Sequence, residues 1–144
     1  MGFKKIVLGY DGSEPSKKAL EKAVELTKEF EAELFIVAVV KPFEFAAIDY
    51  IPTEEIEKYE KEEISKEKTF LNEAEEYARS KGVGPFTKVL EGEPAEELMD
   101  FADENGCDLI VVGYRGKGGF KKLLLGSTAG NLVKYANQSV LIVK

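Results

Sequence analysis

The feature that most constrains the fold is the alternation of apolar, β-branched runs with amphipathic helical segments. The run Leu34–Val40 is continuously apolar, which is typical of a strand covered on both faces. It follows Ser16–Phe30, where apolar residues recur at helical spacing, and that segment follows a β-rich run, Phe3–Tyr10. Strand, helix and strand in this order indicate a parallel βαβ unit.

The same alternation continues to the end of the chain. The spacing of apolar residues predicts a long helix over Thr53–Lys81. Five further elements follow, in the order strand, helix, strand, helix, strand: Phe86–Leu90, Pro94 to the residue before Gly106, Cys107–Gly113, Ser127–Asn137 and Ser139–Val143. Right-handed crossovers then give a doubly wound, Rossmann-like α/β fold, a parallel five-stranded sheet with helices on both faces. We expect residues 1–144 to form a single domain.

A glycine-rich segment, Val111–Asn131, follows the fourth predicted strand and leads into the last helix. It holds six of the chain's 13 glycines. Glycines here let an anion approach backbone N–H groups, and a helix start adds unpaired N–H donors and the positive end of the helix dipole. The segment therefore predicts a phosphate-binding loop. The alternative is a connection that binds nothing.

Ligands of such sheets bind beyond the carboxyl ends of the strands, where the strand order reverses. Three groups of residues are predicted to reach that edge: Gly9, Tyr10 and Asp11; Val39 and Val40; and Gly113. For Asp11, an Asx turn or a helix cap is the alternative interpretation. Cys107 and Asp108 begin a strand and should lie at the opposite edge, which favours a small core residue over a nucleophile for Cys107.

Composition restricts the classes of function. A net charge of −7 argues against a nucleic-acid-binding protein, which needs a clustered basic face. The sequence has no histidine and one cysteine, which excludes a disulfide framework, a His–Cys zinc site and a histidine general base. These features favour a reducing, cytoplasmic setting, and the apolar runs are far shorter than the about 20 residues that span a bilayer. The glutamate-rich first half of Thr53–Lys81 is either a solvated helix face or an acidic docking surface.

The glycine segment carries the pattern Gly113-x2-Gly116-x9-Gly126-Ser127-Thr128. A Walker A loop has Lys-Ser/Thr directly after its second glycine, and the dinucleotide fingerprint follows the first strand, so the pattern is neither of these. It resembles the loop of the ATP-binding class of the universal stress protein family. Three further segments resemble strands of that family: Ile6–Ser13, Asp108–Gly113 and Ser139–Val143.

The resemblance implies roles for ten residues around one adenine nucleotide, on a fold like that of the adenine nucleotide alpha hydrolases. Asp11 would bind the ribose or a divalent ion held by the phosphates, while Gly9 and Val39 would frame the adenine, Val39 through its backbone. The ribose and phosphates would be bound by Gly113, Tyr114, Arg115, Gly116, Gly126, Ser127 and Thr128, the first four mainly through their backbone. From charge and position we add three candidate counter-charges for phosphate, with solvated side chains as the alternative: Lys117, Lys121 and Lys122.

The resemblance further implies a cytoplasmic stress-response regulator that binds ATP or AMP, with Mg²⁺ or Mn²⁺ accompanying ATP, and that serves a regulatory protein partner. Hydrolysis or autophosphorylation would be slow, with Asp11 orienting metal or water and Ser127 or Thr128 as the acceptor. Two alternatives stay open: an enzyme that cleaves ATP or transfers AMP on the same fold, and an interaction module without nucleotide. Valine at Gly113 or Gly126 is expected to weaken nucleotide binding while sparing the fold.

The resemblance also implies a homodimer formed by edge-to-edge pairing of the last strand, Ser139–Val143. This strand is apolar and carries no charge before Lys144, so an unpaired edge here would favour association. We therefore expect lysine at Val140 or Ile142 to disrupt the dimer.

Overall fold

The computed structural model describes residues 2–42, 51–115 and 124–144. In these ranges strands and helices alternate in the predicted order: β1 (Lys5–Gly9), α1 (Glu14–Phe30), β2 (Glu33–Val40), α2 (Thr53–Ser80), β3 (Phe86–Glu91), α3 (Pro94–Asn105), β4 (Leu109–Gly113), α4 (Ser127–Tyr135) and β5 (Ser139–Val143). All pairings are parallel, in the order β3-β2-β1-β4-β5. The predicted doubly wound, Rossmann-like sheet is confirmed.

Two hydrophobic clusters cover the two faces of the sheet. Successive residues of a strand point to opposite faces, so Leu8 packs with side chains of α1 and α2, whereas its neighbour Val7 packs with those of α3 and α4. The same division separates Ile36 from Val37 in β2. Because both faces are buried, the central strands need continuous apolar runs, as the sequence predicts.

Local side-chain and backbone interactions explain where α1 starts and where α3 ends. Ser13 is the N-cap of α1, and its hydroxyl accepts a hydrogen bond from the Ser16 N–H at 3.3 Å. Gly106 ends α3 in the left-handed conformation, with φ of 68°. The end of α3 is the one that the sequence predicts. Within the described ranges, none of the helices is long and apolar enough to cross a bilayer.

The amino edge of the sheet holds Cys107 and Asp108, as predicted. Cys107 is 4% exposed, and its burial raises the pKa of the thiol to about 11, so the thiol stays protonated at neutral pH. The Asp108 carboxylate accepts hydrogen bonds from the N–H groups of Lys4 at 2.9 Å and Lys5 at 3.1 Å. β4 begins at Leu109, after this contact. Cys107 is therefore a core residue far from the carboxyl edge, where the candidate site lies.

Candidate functional site

A cleft of about 700 Å³ opens at the carboxyl edge of the sheet. It lies beyond β1, at the point where the strand order reverses between β2 on one side and β4 on the other. Eight of the ten predicted site residues line this cleft: Gly9, Asp11, Val39, Gly113, Arg115, Gly126, Ser127 and Thr128. Tyr114 is not one of the lining residues. Gly116 lies outside the described residues, together with Lys117, Lys121 and Lys122.

The end of β1 leaves part of β2 facing the cleft. In a parallel sheet the N–H and C=O of one residue point to the same neighbouring strand, and alternate residues point to alternate neighbours. The last hydrogen bond from β1 to β2 joins the Tyr10 N–H to the Val37 carbonyl at 2.9 Å, whereas the Val40 carbonyl bonds to Gly92, beside β3. Val39, two residues after Val37, therefore directs its N–H and C=O to the space beyond β1.

The turn after β1 fixes Asp11 at the cleft. Its Oδ1 accepts a hydrogen bond from the Ser13 N–H at 2.9 Å, which is an Asx turn. Gly12 has a φ of 80°, and a Cβ there would lie 2.9 Å from the Phe70 ring, so the turn is pressed against α2. Asp11 thus has the structural role that we kept as an alternative, and it also lines the cleft.

Tyr10 lies beneath the cleft, where its ring is buried in the core. Burial raises the pKa of the Tyr10 phenol, and the nearby Glu73, Asp11 and Glu14 carboxylates raise the pKa further. The phenol is therefore protonated at neutral pH. It can donate a hydrogen bond but cannot act as a general base.

Gly9 and Gly113 have packing roles that the sequence did not reveal. A Cβ on Gly9 would lie 2.9 Å from a methyl group of Leu98 and 3.0 Å from one of Val112. A Cβ on Gly113 would lie 2.7 Å from both the carbonyl carbon and the Cβ of Pro15, at the start of α1. Because a backbone atom cannot move aside as a side chain can, the expectation that valine at Gly113 spares the fold is wrong.

The start of α4 presents N–H donors to the cleft. Gly126 is the N-cap and has no side chain to bond the first turn, and its own N–H bonds to the Tyr114 carbonyl at 2.7 Å. That bond joins the residue after β4 to the residue before α4. The following residues, Ser127, Thr128 and Ala129, line the cleft in the first helical turn. Helix N-termini of this kind favour anions, through their N–H groups and the helix dipole.

Arg115 places a positive charge in the same part of the cleft. Its guanidinium carbon lies 4.8 Å from the centre of the Tyr114 ring. Its Nη1 is buried and has no hydrogen-bond partner within the described part of the chain. Arg115 itself lines the cleft, and the prediction that it acts mainly through its backbone stays a prediction.

The N-terminal half of α2 forms the opposite wall. Tyr59, Glu63 and Glu67 line the cleft, and Glu67 is only 8% exposed. The interpretation as a solvated helix face does not hold for Glu67, which is buried, and the acidic docking surface stays a prediction. The outer face remains charged and exposed, as at Glu62.

Other cleft-lining residues also escaped the sequence analysis. Val37, Leu98 and Val112 give the cleft an apolar floor. Leu124 and Leu125 lie at its wall and are about half exposed, at 58% and 49%. A run of leucines within the glycine-rich segment is a sequence signal that could have predicted an apolar contribution to the cleft. Lys41, directly after β2, adds a second cation to the lining.

Comparison with known proteins shows the family of this chain. The model of the universal stress protein family matches residues 2–144. The chain belongs to this family. The universal stress protein YxiE of Bacillus subtilis is 40% identical over 147 residues, covering 99% of both chains. The resemblance to this family that the sequence motifs indicated is confirmed.

Solved structures of the family share the whole fold. Universal stress protein UspA from Lactobacillus plantarum has a TM-score of 0.88 at 20% identity, with 100% of this chain and 99% of that chain covered. A universal stress protein solved in complex with cAMP has a TM-score of 0.71 at 28% identity, with coverage of 100% and 98%.

Proposed function

We propose that this universal stress protein is a cytoplasmic regulatory protein that binds an adenine nucleotide, ATP or AMP, in the cleft at the carboxyl edge. The observation that carries the proposal is the division of the cleft into an anion-binding end and an apolar end. Arg115 and the first turn of α4 form the anion-binding end, and Val37, Leu98 and Val112 form the apolar floor. The relative solved with cAMP supports the choice of an adenine nucleotide.

The adenine would lie on the apolar floor, beside Val39. The N–H and C=O that Val39 directs beyond β1 match the acceptor and donor on the edge of an adenine ring. Such backbone contacts bind the base without any polar side chain. Gly9 borders this floor, and its missing Cβ lets Leu98 and Val112 close underneath.

The phosphates would lie against Gly126, Ser127 and Thr128, with Arg115 as a charged partner. Among the described residues no three His, Cys, Asp or Glu side chains form a metal-binding group. A divalent ion, Mg²⁺ or Mn²⁺, would therefore be held by ATP phosphates together with one carboxylate, Asp11. Such a set of ligands fits Mg²⁺, which keeps several waters and takes few protein ligands.

We expect any turnover of ATP to be slow. The chain has no histidine, and Tyr10 is protonated, so neither supplies a general base. Asp11 is already engaged in the Asx turn through Oδ1. The cleft is arranged to hold a nucleotide, which is sufficient for a regulator whose conformation depends on the ligand.

The proposal is tested by stripping and reloading the protein. The purified protein is denatured, any released nucleotide is identified by mass, and ATP, AMP, GTP and NAD are titrated into refolded, nucleotide-free protein. Adenine nucleotides should bind, and GTP should bind more weakly. A well-folded protein that takes up none of the four would contradict the proposal.

We further propose that two copies pair through β5. The Tyr114 N–H bonds to the Val143 carbonyl at 2.9 Å, so Ser139, Leu141 and Val143 direct their backbone groups to β4. Val140 and Ile142 direct theirs to the free edge, while their side chains pack with the cluster under α3 and α4. Lysine at these positions would therefore disturb the core first, and a backbone change is the better test.

Proline at Val140 should convert dimers to monomers and leave the fold intact, since it removes one outward N–H and proline is tolerated on edge strands. Proline at Leu141 is the matched control, because it removes an N–H that faces β4 and should destabilise the monomer itself. Light scattering gives the mass and circular dichroism the fold. A folded Val140→Pro protein that stays dimeric would rule out this interface.

A further inference from the structure

The inner face of α2 changes character where the helix passes the edge of the sheet. In its C-terminal half, Leu71, Ala74 and Ala78 pack in the core. The same face continues toward the N-terminus at four-residue steps from Leu71, as Glu67, Glu63 and Tyr59, and these three side chains line the cleft. One helix face is thus core at one end and a cleft wall at the other.

Glu67 is the buried member of this wall, with 8% of its surface exposed. Burying a carboxylate costs several kcal/mol of desolvation, which a glutamine or leucine of similar size largely avoids. Glu63 is less buried, and its Oε1 lies 3.5 Å from the Nζ of Lys66. A buried acid in the wall of a ligand cleft is typical of a group that serves the ligand.

The charges of the cleft orient a nucleotide. Arg115 and the start of α4 attract phosphates, whereas Glu63 and Glu67 repel them, so the nucleoside must face α2. Phe70, one helical turn beyond Glu67, is pressed against Gly12, which places Glu67 near the turn that holds Asp11. The base then lies beside Val39, on the strand side of the cleft.

We infer that Glu67 is a specificity residue that accepts a hydrogen bond from a ribose hydroxyl of the bound nucleotide; this rests on the proposed function. A carboxyl group offers hydrogen-bond acceptors, and on this side of a nucleotide the ribose supplies O–H donors. A carboxylate in this place also rejects a phosphate on the ribose hydroxyls, because two anions would meet in a buried site.

The test compares the nucleotide-free wild type with Glu67→Gln and with Glu62→Gln, an exposed position on the same helix that loses the same charge. Calorimetric titration uses AMP, 2′-deoxy-AMP, 3′-deoxy-AMP and IMP. We expect Glu67→Gln to lower the affinity for AMP about tenfold or more, and Glu62→Gln to leave the affinity unchanged. Wild type and Glu67→Gln should bind one of the two deoxy analogues with equal affinity. For IMP, Glu67→Gln should lose as much affinity as it does for AMP.

Two further measurements separate a ligand role from a structural one. Ligand-free Glu67→Gln should fold like wild type by circular dichroism, because glutamine keeps the size and shape of the side chain. Glu67→Asp keeps the carboxyl group but shortens the side chain by one methylene. It should also lower the affinity for AMP, because the carboxyl group no longer reaches the ligand. A lower unfolding temperature in Glu67→Gln with unchanged affinity would show a structural role and overturn the inference.

The remaining outcomes are also decisive. If Glu67→Gln loses affinity for both deoxy analogues as it does for AMP, or keeps wild-type affinity only for IMP, Glu67 does not contact the ribose. Wild type that binds AMP while Glu67→Gln binds it equally well would overturn this inference and leave the proposed function standing. Folded wild type that binds no adenine nucleotide would overturn both.

Discussion

Valine at Gly113 should destabilise the protein by about 3 kcal/mol, which lowers the unfolding temperature by roughly 6–12 °C in a domain of this size. The reason is the approach of β4 to α1, where a Cβ would lie 2.7 Å from the carbonyl carbon of Pro15. Relief requires a shift of the whole start of α1, and with it the Asp11 turn. Nucleotide affinity should fall as a consequence of this displacement. Denaturant unfolding measures the loss.

Gly84→Val is the matched control for this substitution. A Cβ at Gly84 would meet only a terminal nitrogen of Arg79, at 3.6 Å, which is an ordinary contact. Its unfolding free energy should stay within about 0.5 kcal/mol of wild type, as for most surface changes. If Gly113→Val were as stable as Gly84→Val, the close approach of β4 to Pro15 would be incorrect.

Alanine at Arg115 should weaken AMP and ATP binding by about 10- to 100-fold. Hydrogen bonds to a charged group contribute about 1.5–3 kcal/mol, and Arg115 lines the cleft with a guanidinium Nη1 that has no hydrogen-bond partner among the described residues. Adenosine, which lacks phosphate, should bind wild type and Arg115→Ala equally. Calorimetry with the three ligands separates a phosphate contact from a general effect on the cleft.

Arg79→Ala removes the same charge from an exposed position on α2, where Arg79 pairs with Glu75 at 2.9 Å. It should leave nucleotide affinity unchanged, since exposed charges are screened by salt. The ligand-free Arg115→Ala protein should be at least as stable as wild type. An equal loss for adenosine and AMP would show that Arg115 does not bind the phosphate.

The fold and one side of the site were predictable because they depend on local patterns. Continuous apolar runs such as Leu34–Val40 determine the strands, and the ends of parallel strands meet at one edge whatever their loops contain. That rule alone brought Asp11, Val39 and Gly113 together. Gly113 shows its limit, because a glycine that admits a ligand and a glycine that admits a neighbouring helix look the same in a sequence.

The α2 wall was not predictable for a different reason. Helical periodicity shows which residues share a face, but not where along its length the helix leaves the sheet. Glu67 lies on the same face as Leu71, and only the three-dimensional position of the strand ends shows that one lines a cleft and the other a core.

The most direct test of the proposed nucleotide site is a titration of ATP into uniformly ¹⁵N-labelled, nucleotide-free protein, followed by amide chemical shifts. We expect the N–H signals of Val39, Ser127 and Thr128 to shift most, because these residues lie at the two ends of the bound nucleotide. Those of Cys107 and Asp108, at the opposite edge, should not move. Shifts centred on the Cys107 edge, or no shifts in a folded protein, would contradict the proposed site.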